Sequence, residues 1–175
     1  MQLKVPWKVR WKIPLNPAPL FGGLVVVMCA IAFMFYIQRG AHIDLKGSVL
    51  KVRTLAMDES SSVAVVDFRF VNPATAAFVV QELNVSIEDK DGKTVDGAVS
   101  SELDARRLFE YYPALGQKYN DSLLARTKIP GQASMDRMIV ARFEVPESVL
   151  ESRKKLTVKI TDVDGPEAEL QEAKR

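Results

Sequence analysis

The stretch from Leu20 to Ile37 constrains this chain most, because its eighteen residues include no charged and no strongly polar side chain. An α-helix rises ~1.5 Å per residue, so a helix of this length spans roughly 27 Å, close to the hydrocarbon thickness of a bilayer. In lipid, a single span satisfies its backbone hydrogen bonds only as a helix. We therefore predict a transmembrane helix over residues 20–37.

The apolar run separates two parts of the chain that differ in charge. Residues 1–40 hold five basic residues and no acid, and the remaining 19 basic and 22 acidic residues give the rest of the chain a net charge of −3. A domain with that balance is not expected to bind nucleic acid. The predicted segments are a basic tail (1–19), the transmembrane helix (20–37), a linker (38–47), a β-sandwich domain (48–164) and a polar C-terminal tail (165–175).

The basic tail alternates cationic and apolar residues between positions 4 and 13. This period of two is typical of an extended amphipathic segment. Two interpretations remain open: an anchor with its tryptophans at the lipid headgroups and its cations on anionic lipid, or a strand that pairs with the edge of a partner subunit. Counting both ends of the span, the predicted membrane-interface residues are Lys4, Trp7, Lys8, Arg10, Trp11, Lys12, Phe33, Phe35 and Tyr36.

The predicted span is an uncleaved signal anchor. Its apolar run exceeds the usual signal-peptide core, and the bulky, charged sequence from Ile37 to Arg39 offers no small-residue cleavage site. Basic residues are nearly balanced on the two sides, but a short cationic tail resists crossing the membrane whereas a long domain crosses largely regardless of charge. We predict a single-pass protein of the bacterial inner membrane, with a cytoplasmic N-terminus and a periplasmic domain.

Small residues form one stripe along the predicted span. Gly22 and Gly23 lie seven residues before Cys29 and Ala30, which places the four on one side of a helix. Small side chains let two membrane helices approach closely, so this stripe is a candidate helix-packing site. Ordinary lipid-facing composition is the alternative.

The region after the span has the period of β-strands. Between Val63 and Val71, one face carries Ala64, Val66, Phe68 and Phe70. These alternate with Val65, Asp67, Arg69 and Val71, which predicts a half-buried strand. A third strand is predicted over residues 78–88, with Val79, Leu83, Val85 and Ile87 on one face. Regular short strands with turn signals indicate an antiparallel Ig/fibronectin-like β-sandwich. The period changes over residues 100–126, which we interpret as a helical insertion capped by Ser100 or Ser101, with a further helical turn over 119–124.

One stretch, from Val66 to Gly97, resembles the water-stress-and-hypersensitive-response domain of the type-2 late embryogenesis abundant proteins. The residues that carry the resemblance are Asn72-Pro73, Gly92, Gly97 and the later Ile129-Pro130-Gly131. The resemblance covers about half of the domain, and the insertion over 100–126 departs from the family pattern. It implies a sandwich similar to a fibronectin-type module, in a family whose members often follow a single membrane helix.

The residues needed for common catalytic sites are missing or scattered. His42 is the only histidine and lies next to the predicted membrane span, and the only cysteine, Cys29, lies inside it. A Ser-His-Asp or Cys-His arrangement is therefore not expected. The sequences Asp89-Lys90-Asp91-Gly92 and Asp162-Val163-Asp164-Gly165 are similar to calcium loops but lack the further ligands, so turn chemistry explains them better. We predict no catalytic residue, cofactor or metal site.

The insertion is the best candidate for a contact surface, since it concentrates apolar and aromatic residues within a short segment. We predict that Leu108, Phe109 and Tyr112 cover one face of the sandwich. Tyrosine and arginine are enriched where proteins grip their partners. The predicted partner-contact residues are Arg106, Arg107, Tyr111 and Tyr119.

These features together predict a non-enzymatic binding or scaffold protein, an accessory subunit that contacts the lipid bilayer and integral-membrane protein partners. The family resemblance supports an alternative, a stand-alone envelope stress-protection protein. A ligand-binding or hydrolytic enzyme is the third class, against which the missing side-chain groupings argue.

Overall fold

The computed structural model describes residues 17–38 and 45–172. Within the first range, it describes the side chains of residues 22–34. The chain divides into two compact units, Met1–Ala41 and His42–Arg175. The first unit contains helix α1, Pro17–Gln38. Taken over the described residues, no helix combines the length and the apolar character needed to cross a membrane.

The second unit is built mainly from β-strands. In chain order its elements are β1 (Lys46–Ala56), β2 (Ser62–Val71), β3 (Phe78–Glu88), β4 (Thr94–Val99), α2 (Glu102–Tyr111), a 3₁₀ turn (Pro113–Leu115), β5 (Lys128–Ile129), β6 (Ser134–Phe143), α3 (Glu147–Glu151), β7 (Lys155–Asp162) and β8 (Glu167–Gln171).

The strands follow the spatial order β1-β2-β6-β4-β3-β7-β8, and every neighbouring pair is antiparallel. The short β5 pairs with β3 outside this path. A parallel bridge between Val49 and Glu172 brings β1 against the end of β8, so the sheet curls until its two edges nearly meet. The result is an antiparallel β-sandwich that approaches a closed barrel, which confirms the predicted sandwich.

The core lies between the curled halves of the sheet. The predicted inward face of β2, with Phe68 and Phe70, is fully buried, as are Phe78 of β3 and Phe143 of β6. The rings of Phe68 and Phe70 pack with their centroids 5.9 Å apart. Four phenylalanines supply much of the apolar area that stabilises the sandwich.

The predicted inward face of β3 is wrong at one residue. Phe78 and Val80 are buried, whereas Val79 is only half-buried. The register of β3 against β7 shifts between Val80 and Glu82, so one extra residue interrupts the alternation. Beyond this bulge, Val85 and Ile87 are buried as predicted.

The C-terminal segment is also different from the prediction. Residues 167–171 are not part of a polar tail, because they form β8 along the edge of β7. Ala168 and Leu170 point into the core and are buried, while the polar residues between them face solvent. The sandwich therefore extends beyond the predicted boundary at residue 164, and it begins at Lys46, inside the predicted linker.

The helical turn predicted over residues 119–124 is wrong as well. Ser122 forms a parallel bridge with Met138 of β6, and Leu123 donates its backbone N–H to the Met138 carbonyl at 2.8 Å. The segment is extended because it completes the edge of β6, where β4 pairs only through Ala98 and Val99.

The motif residues that carry the family resemblance have structural roles. Asn72 is fully buried, and its Nδ2 donates to the carbonyl oxygens of Ala76 at 2.9 Å and Pro130 at 3.2 Å. Gly131 lies so close to the Thr75 carbonyl that a Cβ would overlap it. Asn72-Pro73 and Ile129-Pro130-Gly131 thus join two loops at one end of the sandwich.

Candidate interaction surface

The insertion covers the outer face of β1, β2 and β6. The outward side chains of these strands form a second apolar cluster, to which α2 and the 3₁₀ turn contribute buried Ala105 and Leu115. The three side chains predicted to cover the sheet lie half-buried against this cluster: Leu108, Phe109 and Tyr112. The inner face of the insertion is therefore occupied by the sheet itself.

A buried guanidinium connects the insertion to the sheet. Arg53 of β1 pairs with Asp67 of β2, with 2.8 Å between Nη2 and Oδ2, and their side chains are only 10% and 6% exposed. Its Nη1 donates to the carbonyl oxygens of Leu115 at 2.6 Å and Gln117 at 2.9 Å. Asn120 Nδ2 donates to the other Asp67 oxygen at 2.9 Å. Asp67 thus has a partner on each carboxylate oxygen, and Arg53 donates through both terminal nitrogens, whereas its buried Nε has no hydrogen-bond partner among the described residues.

Two aromatic rings enclose the same guanidinium. The Arg53 Cζ atom lies 5.3 Å from the ring centroid of Phe109 and 5.5 Å from that of Tyr119. Arginine over an aromatic face is attracted by the ring quadrupole, more strongly when water is excluded. We call Arg53, Asp67, Asn120, Phe109 and Tyr119 the Arg53 hub.

Helix α2 begins at a well-formed N-cap. Ser101 has an extended backbone, and its Oγ accepts the backbone N–H of Asp104 at 3.2 Å. The same hydroxyl donates to Asp104 Oδ2 at 2.7 Å. Glu102 and Asp104 place negative charge in the first turn, where the helix dipole favours it. Of the two predicted caps, Ser101 is the one used.

An ion pair connects the start of α2 to the segment that follows the 3₁₀ turn. Lys118 Nζ donates to Glu102 Oε1. This hydrogen bond is the main reason that the pKa of Glu102 lies below its usual value. Glu102 therefore keeps its negative charge to lower pH than a free glutamate does.

The four predicted contact residues lie on the outside of the insertion. Arg106, Arg107 and Tyr111 are exposed on α2, where the side chain of Tyr111 is 77% accessible to solvent. Tyr119 is 66% exposed although one part of its ring covers Arg53. The structure thus brings Arg106, Arg107 and Tyr111 together on one helix and places Tyr119 at the Arg53 hub.

The residues predicted to lie at or in the membrane are described only in part. Gly22, Gly23, Cys29, Ala30 and Phe33 lie on α1 and are exposed. The predicted interface residues Lys4, Trp7, Lys8, Arg10, Trp11 and Lys12, and the side chains of Phe35 and Tyr36, lie outside the described residues, as does His42.

Sequence reasoning missed Arg53, Asp67 and Asn120. One signal could have indicated a covered face: β2 carries Val63 and Val65 on its outer side, so it is apolar on both faces before Asp67. No sequence pattern indicates that Asp67 pairs with Arg53, because the pair is set by the registers of two strands and the path of the insertion.

Backbone hydrogen bonds close the two acidic turns, from the Gly92 N–H to the Asp89 carbonyl at 3.1 Å and from the Gly165 N–H to the Asp162 carbonyl at 3.0 Å. Asp89 Oδ1 accepts the backbone N–H groups of Asp91 at 2.8 Å and Lys93 at 2.9 Å. Both hydrogen bonds lower the pKa of Asp89, and the bond from Lys93 has the larger effect. Asp162 accepts the Val79 N–H at 3.1 Å. Across the described ranges, no three His, Cys, Asp or Glu side chains are grouped to hold a metal ion.

Comparisons with known proteins give little further information. No protein-family model matches the chain, and no curated protein sequence matches it. Among solved structures, the chain is similar to an uncharacterized beta-sandwich protein from Clostridium difficile 630, with 10% identity and a TM-score of 0.38, over 73% of this chain and 85% of that one. A similarity of this level carries no argument about function.

Proposed function

We propose that this chain is a membrane-anchored, non-enzymatic binding or scaffold protein, an accessory subunit of a bacterial membrane protein complex. Helix α1 would be its single-pass anchor, with the N-terminus in the cytoplasm and the Ig/fibronectin-like sandwich in the periplasm. The observation that carries the proposal is the two-faced insertion. Its inner face packs on the sheet, and its outer face presents the exposed side chains of Arg106, Arg107 and Tyr111.

Support for the anchor comes from the sequence. The run from Leu20 to Ile37 falls inside the 22 residues of α1, and the described side chains of this helix are exposed. An exposed apolar helix needs an apolar surrounding, which a bilayer or a neighbouring membrane helix would supply.

The proposed contact surface is supported by the hydrogen bonds and the ion pair that hold the insertion in place. Binding energy is lost when side chains or loops must be ordered on association, so a surface held in place beforehand binds at lower cost. The Ser101 cap, the Glu102–Lys118 ion pair and the Arg53 hub each restrain the insertion.

Purification in mild detergent tests this proposal. The full-length chain, tagged at its C-terminus, is expected to retain other membrane proteins in fixed stoichiometry, identified by mass spectrometry. Deletion of residues 2–13 separates the two interpretations of the tail. If the tail is a docking strand the partners are lost, and if it is an interfacial anchor only insertion or topology suffers.

A stand-alone envelope stress protein is the second candidate, supported by the family resemblance. The motif residues that carry this resemblance lie close together. Asn72 donates to the Pro130 carbonyl, and Gly131 packs against Thr75. A full-length protein that purifies as a lone monomer, with no partner at fixed stoichiometry, would favour this function over the accessory subunit. Substrate turnover by the purified protein would contradict both.

A further inference from the structure

One end of the sandwich is formed by two loops without charged side chains. The loops are residues 72–77, between β2 and β3, and residues 130–133, between β5 and β6. They contain only asparagine, proline, alanine, threonine, glycine and glutamine. The two loops meet where Gln132 donates its backbone N–H to the Ala74 carbonyl at 2.9 Å. We call them the tip loops.

Apolar side chains lie exposed at the same end. Val71, the last residue before the first loop, is 38% exposed, and Val163 in the β7–β8 turn is 51% exposed. The N–H of Val163 donates to the Val79 carbonyl at 3.0 Å, which places this turn beside the start of β3. Within the tip loops, Pro73 and Pro130 are exposed as well. Exposed apolar residues that are grouped, rather than scattered singly, indicate a contact site.

The charges around the tip loops nearly balance one another. Lys46 and Lys128 are exposed cations, and Asp164 is an exposed acid. The other charged side chains near this end are paired, Arg69 with Asp136 and Lys159 with Glu167. An occupant of this end is therefore recognised by apolar and uncharged polar contact and not by an excess of one charge.

The opposite end of the sandwich is densely charged. It consists of the β1–β2 turn, the β3–β4 turn and the segment around α3. The acidic residues of these segments are Asp58, Glu59, Asp89, Asp91, Glu144, Glu147 and Glu151, and the basic ones are Lys90, Lys93, Arg153 and Lys154. Charged groups lose free energy when they leave water for a medium of low dielectric, so only the end with the tip loops suits the edge of a lipid layer.

The chain enters the sandwich at the uncharged end. β1 begins at Lys46, which pairs with Val71 just before the first tip loop. Residues 39–44 separate α1 from Leu45. An extended chain covers at most ~3.6 Å per residue, so the steps from Gln38 to Leu45 reach no more than about 25 Å. If α1 is the anchor, the end with the tip loops is the end that is tethered to the bilayer.

We infer that the tip loops, together with Val71 and Val163, rest in the headgroup layer of the bilayer that holds α1. This inference rests on the proposed membrane anchor and adds the surface that the sandwich turns toward the lipid. The short connection to β1 favours lipid over a partner protein or a second copy as the occupant. Because the tip loops carry no charge, the contact does not need anionic lipid.

Fluorescence quenching in phosphatidylcholine vesicles tests the inference on the full-length chain. Cys29→Ala removes the single native cysteine, and Ala76→Cys or Lys90→Cys then carries one environment-sensitive fluorophore at the tip loops or at the opposite end. The quencher is a nitroxide on the lipid headgroup. The label at position 76 is expected to lose at least about half of its fluorescence, because an interfacial segment lies within about 5–10 Å of the headgroups. The label at position 90 is expected to stay unquenched.

Two double variants that add the same charge separate contact from mere tethering. Thr75→Glu with Gln132→Glu places two carboxylates in the tip loops and is expected to reduce the quenching at position 76 by at least about half, since a charged group favours water. Ser148→Glu with Gln171→Glu places two carboxylates near the opposite end, at residues that are also exposed. This control is expected to leave the quenching unchanged.

Three results would overturn the inference: equal quenching of the two labels, no quenching at position 76, or unchanged quenching in the tip-loop variant. A label at position 76 that ignores the lipid quencher but responds to dilution of the protein in the vesicles would assign the tip loops to a second copy. An unquenched label on a chain that resists carbonate washing sinks this inference alone. Release of the chain by carbonate sinks the proposed function.

Discussion

At the scale of single residues, Arg53 connects the stability of the sandwich to the shape of its surface. It touches β2 through Asp67 and the insertion through the carbonyls of Leu115 and Gln117. A buried charge without its partner is costly, because its lost hydration is not replaced. The position of the insertion is therefore expected to depend on Arg53.

Replacing Arg53 by Met is expected to lower the free energy of unfolding by about 3 kcal/mol, because Asp67 is left buried without its cation. The measurement is urea unfolding of the full-length protein in detergent, followed by far-UV circular dichroism. Hydrogen exchange is expected to rise first in α2 and in the segment from Pro113 to Asn120.

A second ion pair on β2 provides a matched control for this prediction. Arg69 pairs with Asp136 at 2.6 Å, but the two side chains are 57% and 36% exposed. Arg69→Met is expected to cost less than about 1 kcal/mol, because exposed pairs contribute little. Equal losses in the two variants would contradict the role given to burial.

The pH dependence of stability is expected to change in Glu102→Gln. The pKa of Glu102 is lowered in the folded protein, mainly by Lys118, so its contribution is present above the unfolded value of about 4.3 and is lost as pH falls through the folded value. The variant should therefore lose less stability than the wild type on acidification below that pH.

Unfolding by urea at a series of pH values measures this difference. Glu59→Gln is the control, since Glu59 is exposed in the turn after β1 and forms no ion pair with the described residues. Parallel stability curves for the wild type and Glu102→Gln would show that the Glu102–Lys118 pair does not contribute.

At the scale of elements, the sequence predicted best those strands whose inner faces carry large apolar residues. The alternation of β2 and the bounds of β3 were correct because each contains a clear series of valines, phenylalanines or isoleucines. β8 was missed because its inward positions hold only Ala168 and Leu170 between glutamates. The bulge in β3 was also missed, since an extra residue in a strand depends on its neighbour β7.

Leu170→Ala tests whether β8 belongs to the cooperative core. Leu170 is fully buried, and removal of its side chain leaves a cavity, so we expect a loss of about 2–5 kcal/mol in the free energy of unfolding. The neighbouring Gln171 is exposed, and Gln171→Ala is expected to change stability by less than about 0.5 kcal/mol. A small effect of Leu170→Ala in the same urea experiment would mean that β8 unfolds apart from the sandwich.

At the scale of the whole molecule, the chain combines helix α1 with a β-sandwich. The sandwich could be predicted from strand periodicity, but the Arg53 hub could not, because Arg53, Asp67 and Asn120 meet only after three separate segments have folded. Arg106, Arg107 and Tyr111, which the sequence suggested as contact residues from the enrichment of arginine and tyrosine at interfaces, are exposed on α2, and their role in binding stays a prediction.

The proposed membrane location is tested by extraction and protease access. Carbonate washing is expected to leave the chain in the membrane pellet. High pH does not extract an apolar helix such as that predicted from Leu20 to Ile37 from the bilayer. Protease added to intact spheroplasts should digest the C-terminal domain. Release by carbonate would contradict the anchor, and protection until lysis would reverse the sidedness.

The bridge between Val49 and Glu172 has a consequence for how the domain could be rebuilt. The sandwich ends beside the strand on which it begins, so a short glycine linker could fuse the two ends. New termini could then be opened at the exposed turn around Asp91 and Gly92. Such a circular permutant would keep every strand neighbour while moving the chain's entry point to another corner of the module.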